Sequence, residues 1–169
     1  MTRWSLLFRF AAVLSLLPAL ALALAGAVAV AEPLVIAHRG ASGYLPEHTL
    51  AAKALAHGMG ADYIEQDVVL TADDVPIVLH DIHLDGTTDV ARRFPQRARA
   101  DGHWYAIDFT LAEIRTLAAG ERRGADGQPA FPRRFPADRA LFTVPTLAEE
   151  LALIDGLNRS RGRRAGLYI

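Results

Sequence analysis

Three short apolar runs in this chain finish in, or contain, polar groups that burial would penalise. That pattern restricts the possible folds more than any other feature. Leu34-Val35-Ile36-Ala37 ends in His38-Arg39-Gly40; the run 62–70 carries Glu65 and Asp67 inside it; Val75-Pro76-Ile77-Val78-Leu79 ends in His80-Asp81. Apolar runs of this length, closed by turn residues, read as buried strands. Thr71-Ala72-Asp73-Asp74 separates the second and third by a turn of hairpin length, so those two are expected to pair directly.

Helical patterns lie between and after the strands. Pro46-Glu47 is read as a helix start, since proline is pre-set for a first helical position and a carboxylate suits the first turn. Leu50, Ala51, Ala54 and Leu55 then share a face, and His57, Gly58 and Gly60 close it. Thr110-Leu111-Ala112-Glu113 has the form of a capping box, and Thr146 with Glu149 repeats it before Leu147, Leu151 and Ile154. Between 85 and 110 the periodicity fails over a stretch long for a plain connection, and 120–136 is rich in Gly, Pro and Arg. The first of these, 85–110, is read as a substrate-side loop or insertion. Gly166-Leu167-Tyr168-Ile169 begins a further apolar run. Strand, helix, two strands, two helices and a strand start suit an α/β protein with a largely parallel sheet.

Alternation along a strand would put Glu65 and Asp67 on one face. Adjacent carboxylates repel unless a cation or proton sits between them, and two oxygens on one face suit a hard divalent ion. Two are too few for a complete cage. An edge strand with its polar face in water would give the same letters, but Tyr63 and Val69 on the carboxylate side are apolar. His38 and His80 each end an apolar run, and functional groups gather at the carboxyl ends of parallel strands. Taken singly, each reads as a satisfied strand-end histidine. Arg39 offers a phosphate diester the fixed charge and paired hydrogen bonds of a guanidinium, or else is a solvated surface arginine. Glu47 and Asp81 are supporting candidates. His48, His57, His83 and His103 have no partner in the sequence and are read as surface or structural.

The segments His38-Arg39-Gly40-Ala41-Ser42-Gly43, Pro46-Glu47-x-Thr49, Glu65-x-Asp67 and His80-Asp81, in that order and spacing, resemble the glycerophosphodiester phosphodiesterase family. Arg93-Phe94-Pro95 and 105–110 resemble its periplasmic branch, whose substrates are deacylated phospholipids. The resemblance implies a (β/α)₈ barrel (TIM barrel) with a small insertion or substrate-side region, placed at residues 82–145, and metal-dependent hydrolysis of glycerophosphodiesters to glycerol 3-phosphate and an alcohol. It implies His38 and His80 as the acid–base pair, Arg39 on the phosphate, and Glu65 and Asp67 as ligands of a divalent metal, Ca²⁺ rather than Mg²⁺. The family's third metal ligand is a glutamate that no residue here matches, so it is expected beyond Ile169. A whole barrel takes about 250 residues; residues 32–169 are thus expected to be a domain incomplete at its C-terminus, about half a barrel plus the insertion. The alternative is an inactive fragment, or a non-catalytic binding protein on the same scaffold.

Composition bears on location and partners. Residues 1–31 carry Arg3, Arg9 and no acid, then an apolar run closed by Ala29-Val30-Ala31, and are read as a cleaved secretory signal. The run is long enough to span a bilayer, so an uncleaved membrane anchor is the rival reading. A periplasmic or secreted product, with no stable membrane insertion after cleavage, follows from the first. Sixteen basic and nineteen acidic side chains remain, a net charge of −3 that disfavours a nucleic-acid partner. With no cysteine in the chain, disulfides and a lipid-modified cysteine are excluded.

Overall fold

The structure, a computed structural model, describes residues 32–124, 126–134 and 141–169; the signal segment 1–31 lies outside them. Strand β1 (Ile36–Ala37) leads to helix α1 (Leu50–Met59), then β2 (Tyr63–Glu65), β3 (Val68–Leu70) and β4 (Pro76–Val78). Two short helices follow, α2 (Val90–Arg93) and α3 (Leu111–Ile114), then the long helix α4 (Leu147–Arg161) and strand β5 (Gly166–Tyr168). β1, β2 and β5 form a parallel sheet in that order, with Tyr63 beside both Ile36 and Gly166. β3 and β4 form the expected antiparallel hairpin, Val69 opposite Ile77. Thr71 ties its turn, its Oγ1 donating to Asp73 Oδ1 at 2.6 Å and accepting from Val75 N at 2.9 Å.

The expected strand over 62–70 is two strands in two sheets. The first ends because its last carbonyl leaves the ladder: Lys53 Nζ, reaching in from α1, donates to Glu65 O at 2.5 Å. Gln66 N still donates to Tyr168 O at 2.9 Å, after which the chain turns into the hairpin. The alternation argument for Glu65 and Asp67 therefore fails, because they flank a break between sheets. The first helix likewise begins later than expected. Thr49 is extended (φ −72°, ψ 147°) and its side chain accepts from Ala52 N, so the helix starts at Leu50. Glu47 thus lies in the preceding turn and is not a first-turn helix acid.

Alternation along the parallel strands sends Ile64 into a cluster with Ala56, Ile154 and Ala165, joined by Ala37 and Leu167, which packs α1 and α4 on one face of the sheet. On the opposite face the Tyr63 ring packs beside Gly166, its neighbour on β5. A Cβ there would sit 2.6 Å from the tyrosine ring, so a larger residue requires the ring to move. A second cluster, around Ile77, Leu84, Phe109, Ile114 and Leu117, organises the segment after the hairpin. Phe109 and Trp104 belong to this core, and the Trp104 indole donates to Phe94 O at 2.7 Å.

Both expected capping boxes form, Thr110 with Glu113 and Thr146 with Glu149. Replacing Thr146 by Ala removes the acceptor for Glu149 N. It is expected to lower stability by about 1 kcal/mol, read as a drop in the urea midpoint with an unchanged slope.

Candidate active site

The first residues past β1 make a tight reversal, with Arg39 at φ 58° and Gly40 at φ 79°. Gly40 has no room for a side chain, since a Cβ would lie 2.9 Å from the Ala52 backbone. A left-handed arginine is strained, and strain of this kind persists where surrounding bonds hold it. Those bonds are present: Arg39 N donates to Glu65 Oε2 at 2.5 Å, and His48 N donates to Arg39 O at 3.1 Å. His48 is itself left-handed, at φ 60°. The reversal thus aims the Arg39 side chain back over the end of β2.

That side chain is 15% exposed. Its Nη1 donates to Glu47 Oε1 at 3.1 Å, and its Nε lies 3.8 Å from Asp67 Oδ2. Nε is buried and makes no hydrogen bond, a donor free for an incoming oxygen. Asp67 Oδ2 also accepts from His48 Nε2 at 3.0 Å. Burial, and after it the charge of Lys53, push the His48 imidazole down to about 3, so the neutral ring faces Asp67 with its proton on Nε2.

His80 and Asp81 enter from the hairpin. Leu79 N donates to Asp67 O at 3.1 Å, which brings the end of β4 beside Asp67. The expectation that His80 closes a parallel strand is corrected here: β4 is antiparallel to β3, and the hairpin returns its exit to the end of β2. His80 Nδ1 lies 2.6 Å from Asp81 Oδ1. Burial opposes ionisation of Asp81, but hydrogen bonds from Arg122 and His80 outweigh it and hold the carboxyl below its usual range. An ionised carboxylate only accepts, so Nδ1 carries the proton and Nε2 is left for other chemistry.

Arg122 closes the constellation. Its Nε and Nη2 donate to the two oxygens of Glu47 at 3.0 and 2.7 Å, and its Nη1 donates to Asp81 Oδ2 at 2.6 Å. Burial also disfavours the Glu47 carboxylate, yet the Arg122 bonds and the Arg39 charge keep it ionised. A continuous chain of contacts therefore runs His48, Asp67, Arg39, Glu47, Arg122, Asp81, His80, with Glu65 attached through the Arg39 backbone. The structure brings together Arg39, Glu47, Glu65, Asp67, His80 and Asp81. His38 stands at the reversal with its imidazole exposed and without a hydrogen bond among the described residues.

Two members were missed in the sequence. His48, read as surface or structural, is 3% exposed and holds Asp67; its only sequence signal is its place between Glu47 and Thr49. Arg122 sits in an arginine-rich loop that reads as solvated. The other histidines fit the structural reading. His57 pairs with Asn158, and His103 pairs with Asp85 beneath the stacked ring of His83.

Four carboxylates against two guanidinium groups leave the site two negative charges in excess. Glu65 Oε1 and Asp67 Oδ1 accept no hydrogen bond among the described residues. Hard oxygens in an over-negative site fit a divalent cation. Among the described residues no group of three or more His, Asp or Glu side chains lies close enough to hold one alone.

Residues 38–166 match the model of the Glycerophosphoryl diester phosphodiesterase family. The chain is 49% identical to the glycerophosphodiester phosphodiesterase of Haemophilus influenzae over 140 residues, 81% of this chain and 38% of that one. It is 47% identical to that of Treponema pallidum, over 81% of this chain and 39% of that one. A solved phosphodiesterase from Oleispira antarctica, in complex with the product sn-glycerol-3-phosphate, superposes with a TM-score of 0.54 at 34% identity, over 75% of this chain and 41% of that one. The chain spans about two fifths of the length of these relatives. Its α/β architecture is that of (β/α)₈-barrel phosphodiesterases, as expected. By its matched length and its motifs, the chain belongs to the glycerophosphoryl diester phosphodiesterase family.

Proposed function

We propose that this site hydrolyses glycerophosphodiesters, the deacylated phospholipids, to glycerol 3-phosphate and an alcohol. One observation carries the reading: an imidazole oriented by a carboxylate, a guanidinium with an unused buried donor, and two carboxylates with free oxygens all belong to a single chain of contacts. A phosphodiester anion resists attack because of its own charge, and its leaving alkoxide needs a proton. Arg39 supplies fixed positive charge and Nε–H to a non-bridging oxygen. His80, with Nδ1 committed to Asp81, delivers a proton from Nε2 to the leaving oxygen. His38, the exposed imidazole across the reversal, takes the proton of the neighbouring glycerol hydroxyl as that oxygen bonds to phosphorus and the protonated alcohol leaves; water then opens the resulting cyclic phosphate with the two histidines in exchanged roles. A divalent ion held by Glu65 and Asp67, Ca²⁺ in preference to Mg²⁺, would supply the remaining charge neutralisation. The signal-like composition of residues 1–31 supports an activity outside the cytoplasm.

The test is release of glycerol 3-phosphate from glycerophosphocholine or glycerophosphoethanolamine, followed with a coupled dehydrogenase. Product is expected with added Ca²⁺ and should stop on chelation. No product with either Ca²⁺ or Mg²⁺ overturns the reading.

A further inference from the structure

Arg122 lies 75 residues from Glu47 and 41 from Asp81 in the chain, yet its side chain bonds both. Its loop is pinned where it must be to do this. Gly120 N donates to Thr87 O at 2.9 Å, Arg123 N to Gly86 O at 2.8 Å, and Ala130 N to Arg122 O at 2.8 Å. The guanidinium fork is used in full, with Nε and Nη2 on one carboxylate and Nη1 on another. Exposed single ion pairs contribute little, but Arg122 is about three-quarters buried and Glu47 more so, and the pairing is bidentate.

The consequence lies in how Asp81 is divided. Arg122 holds Oδ2, so Oδ1 is fixed, and with it the imidazole whose Nδ1–H it accepts. Without Arg122 the carboxylate is free to rotate and the ring to flip or change tautomer. On its other side Arg122 holds Glu47, which in turn holds Arg39 Nη1. One side chain from the segment after the hairpin therefore sets the geometry of both the proton donor and the phosphate-binding arginine. We propose that Arg122 is a positioning residue for the hydrolysis: through Asp81 it fixes the orientation and tautomer of His80, and through Glu47 it fixes Arg39. This role rests on the function proposed above.

The experiment compares Arg122→Met and Arg122→Lys with the wild-type chain by two readouts. The first is the ¹⁵N resonances of the His80 ring at a pH where the ring is neutral. The wild type should show one tautomer, protonated on Nδ1; Arg122→Met should move both ring nitrogens toward the average of two tautomers, with Arg122→Lys between. Unchanged His80 resonances in folded Arg122→Met overturn the proposal. Should that variant not fold, Arg122→Lys, which keeps the charge and loses the fork, decides by the same criterion. The second readout is kinetic. In Arg122→Met, kcat should fall about tenfold, with KM within about twofold and partial recovery in Arg122→Lys. An unchanged kcat, or a loss confined to KM, overturns it. A wild-type chain that does not turn over removes the enzymatic reading instead, and the ring resonances still decide whether Arg122 positions His80.

Discussion

His80→Ala is expected to lower kcat for glycerophosphocholine at least about a hundredfold, equivalent to about 2.7 kcal/mol of transition-state stabilisation. The alkoxide leaving from an alkyl diester is a strong base, so breaking its bond without a proton is slow. His80 has its Nδ1 tied to the Asp81 carboxylate, which leaves its Nε2 presented for transfer. The substitution should leave the fold intact. The side chain is 41% exposed, and Asp81 keeps Arg122 as its counter-charge, so the urea midpoint should report a change of no more than about 0.5 kcal/mol. The leaving group separates proton donation from other roles. With a p-nitrophenyl diester, whose leaving phenolate needs no proton, the same variant should lose far less. A near-normal rate on the alkyl substrate removes His80 from the mechanism. An equal loss on both substrates keeps it in the mechanism but takes away the donor role.

What the sequence made legible was local. The hairpin at 71–74 and the capping boxes at Thr110 and Thr146 depend on side chains reaching their own neighbours, and each formed as read. The motif residues were legible because polar groups at the ends of apolar runs have few structural uses. What was lost came from contacts distant in the chain. The run 62–70 has nothing in its letters to mark a break after Glu65; the break comes from Lys53, twelve residues earlier, and the chain's exit is steered by Tyr168, about a hundred residues later. The late helix start follows from the left-handed His48 and the Thr49 cap, where Pro46 alone suggested an earlier one. Arg122 could not be distinguished from its neighbour Arg123, because its partners lie on two other segments.

Lys53, the chain's single lysine, and Glu150 form a fully buried ion pair at 3.0 Å, tying α1 to α4. Lys53→Met is expected to cost about 3–5 kcal/mol, a large share of the stability of an ordinary domain, because it strands the Glu150 carboxylate in the core. Burial pushes Glu150 up and Lys53 down, so each charge is held in place chiefly by the other. A raised carboxyl contributes stability at low pH that is lost as pH rises through its folded value. With its lysine gone, Glu150 should move higher still. The deficit of Lys53→Met measured against wild type should therefore shrink on acidification from neutral pH and widen above it. Urea midpoints at pH 5 and 7.5 check this, and a deficit that grows toward acid would show that a stranded carboxylate is not its source. Lys53→Met with Glu150→Leu removes both charges at similar volume and should recover most of the loss. Lys53 Nζ is also the donor that takes Glu65 O out of the ladder, so this double variant keeps the helix packing while releasing the end of β2. Stability recovered together with weakened Ca²⁺ binding would mean the pair is retained for where it places Glu65; equal recovery of both would assign it to the packing of α1 on α4 alone.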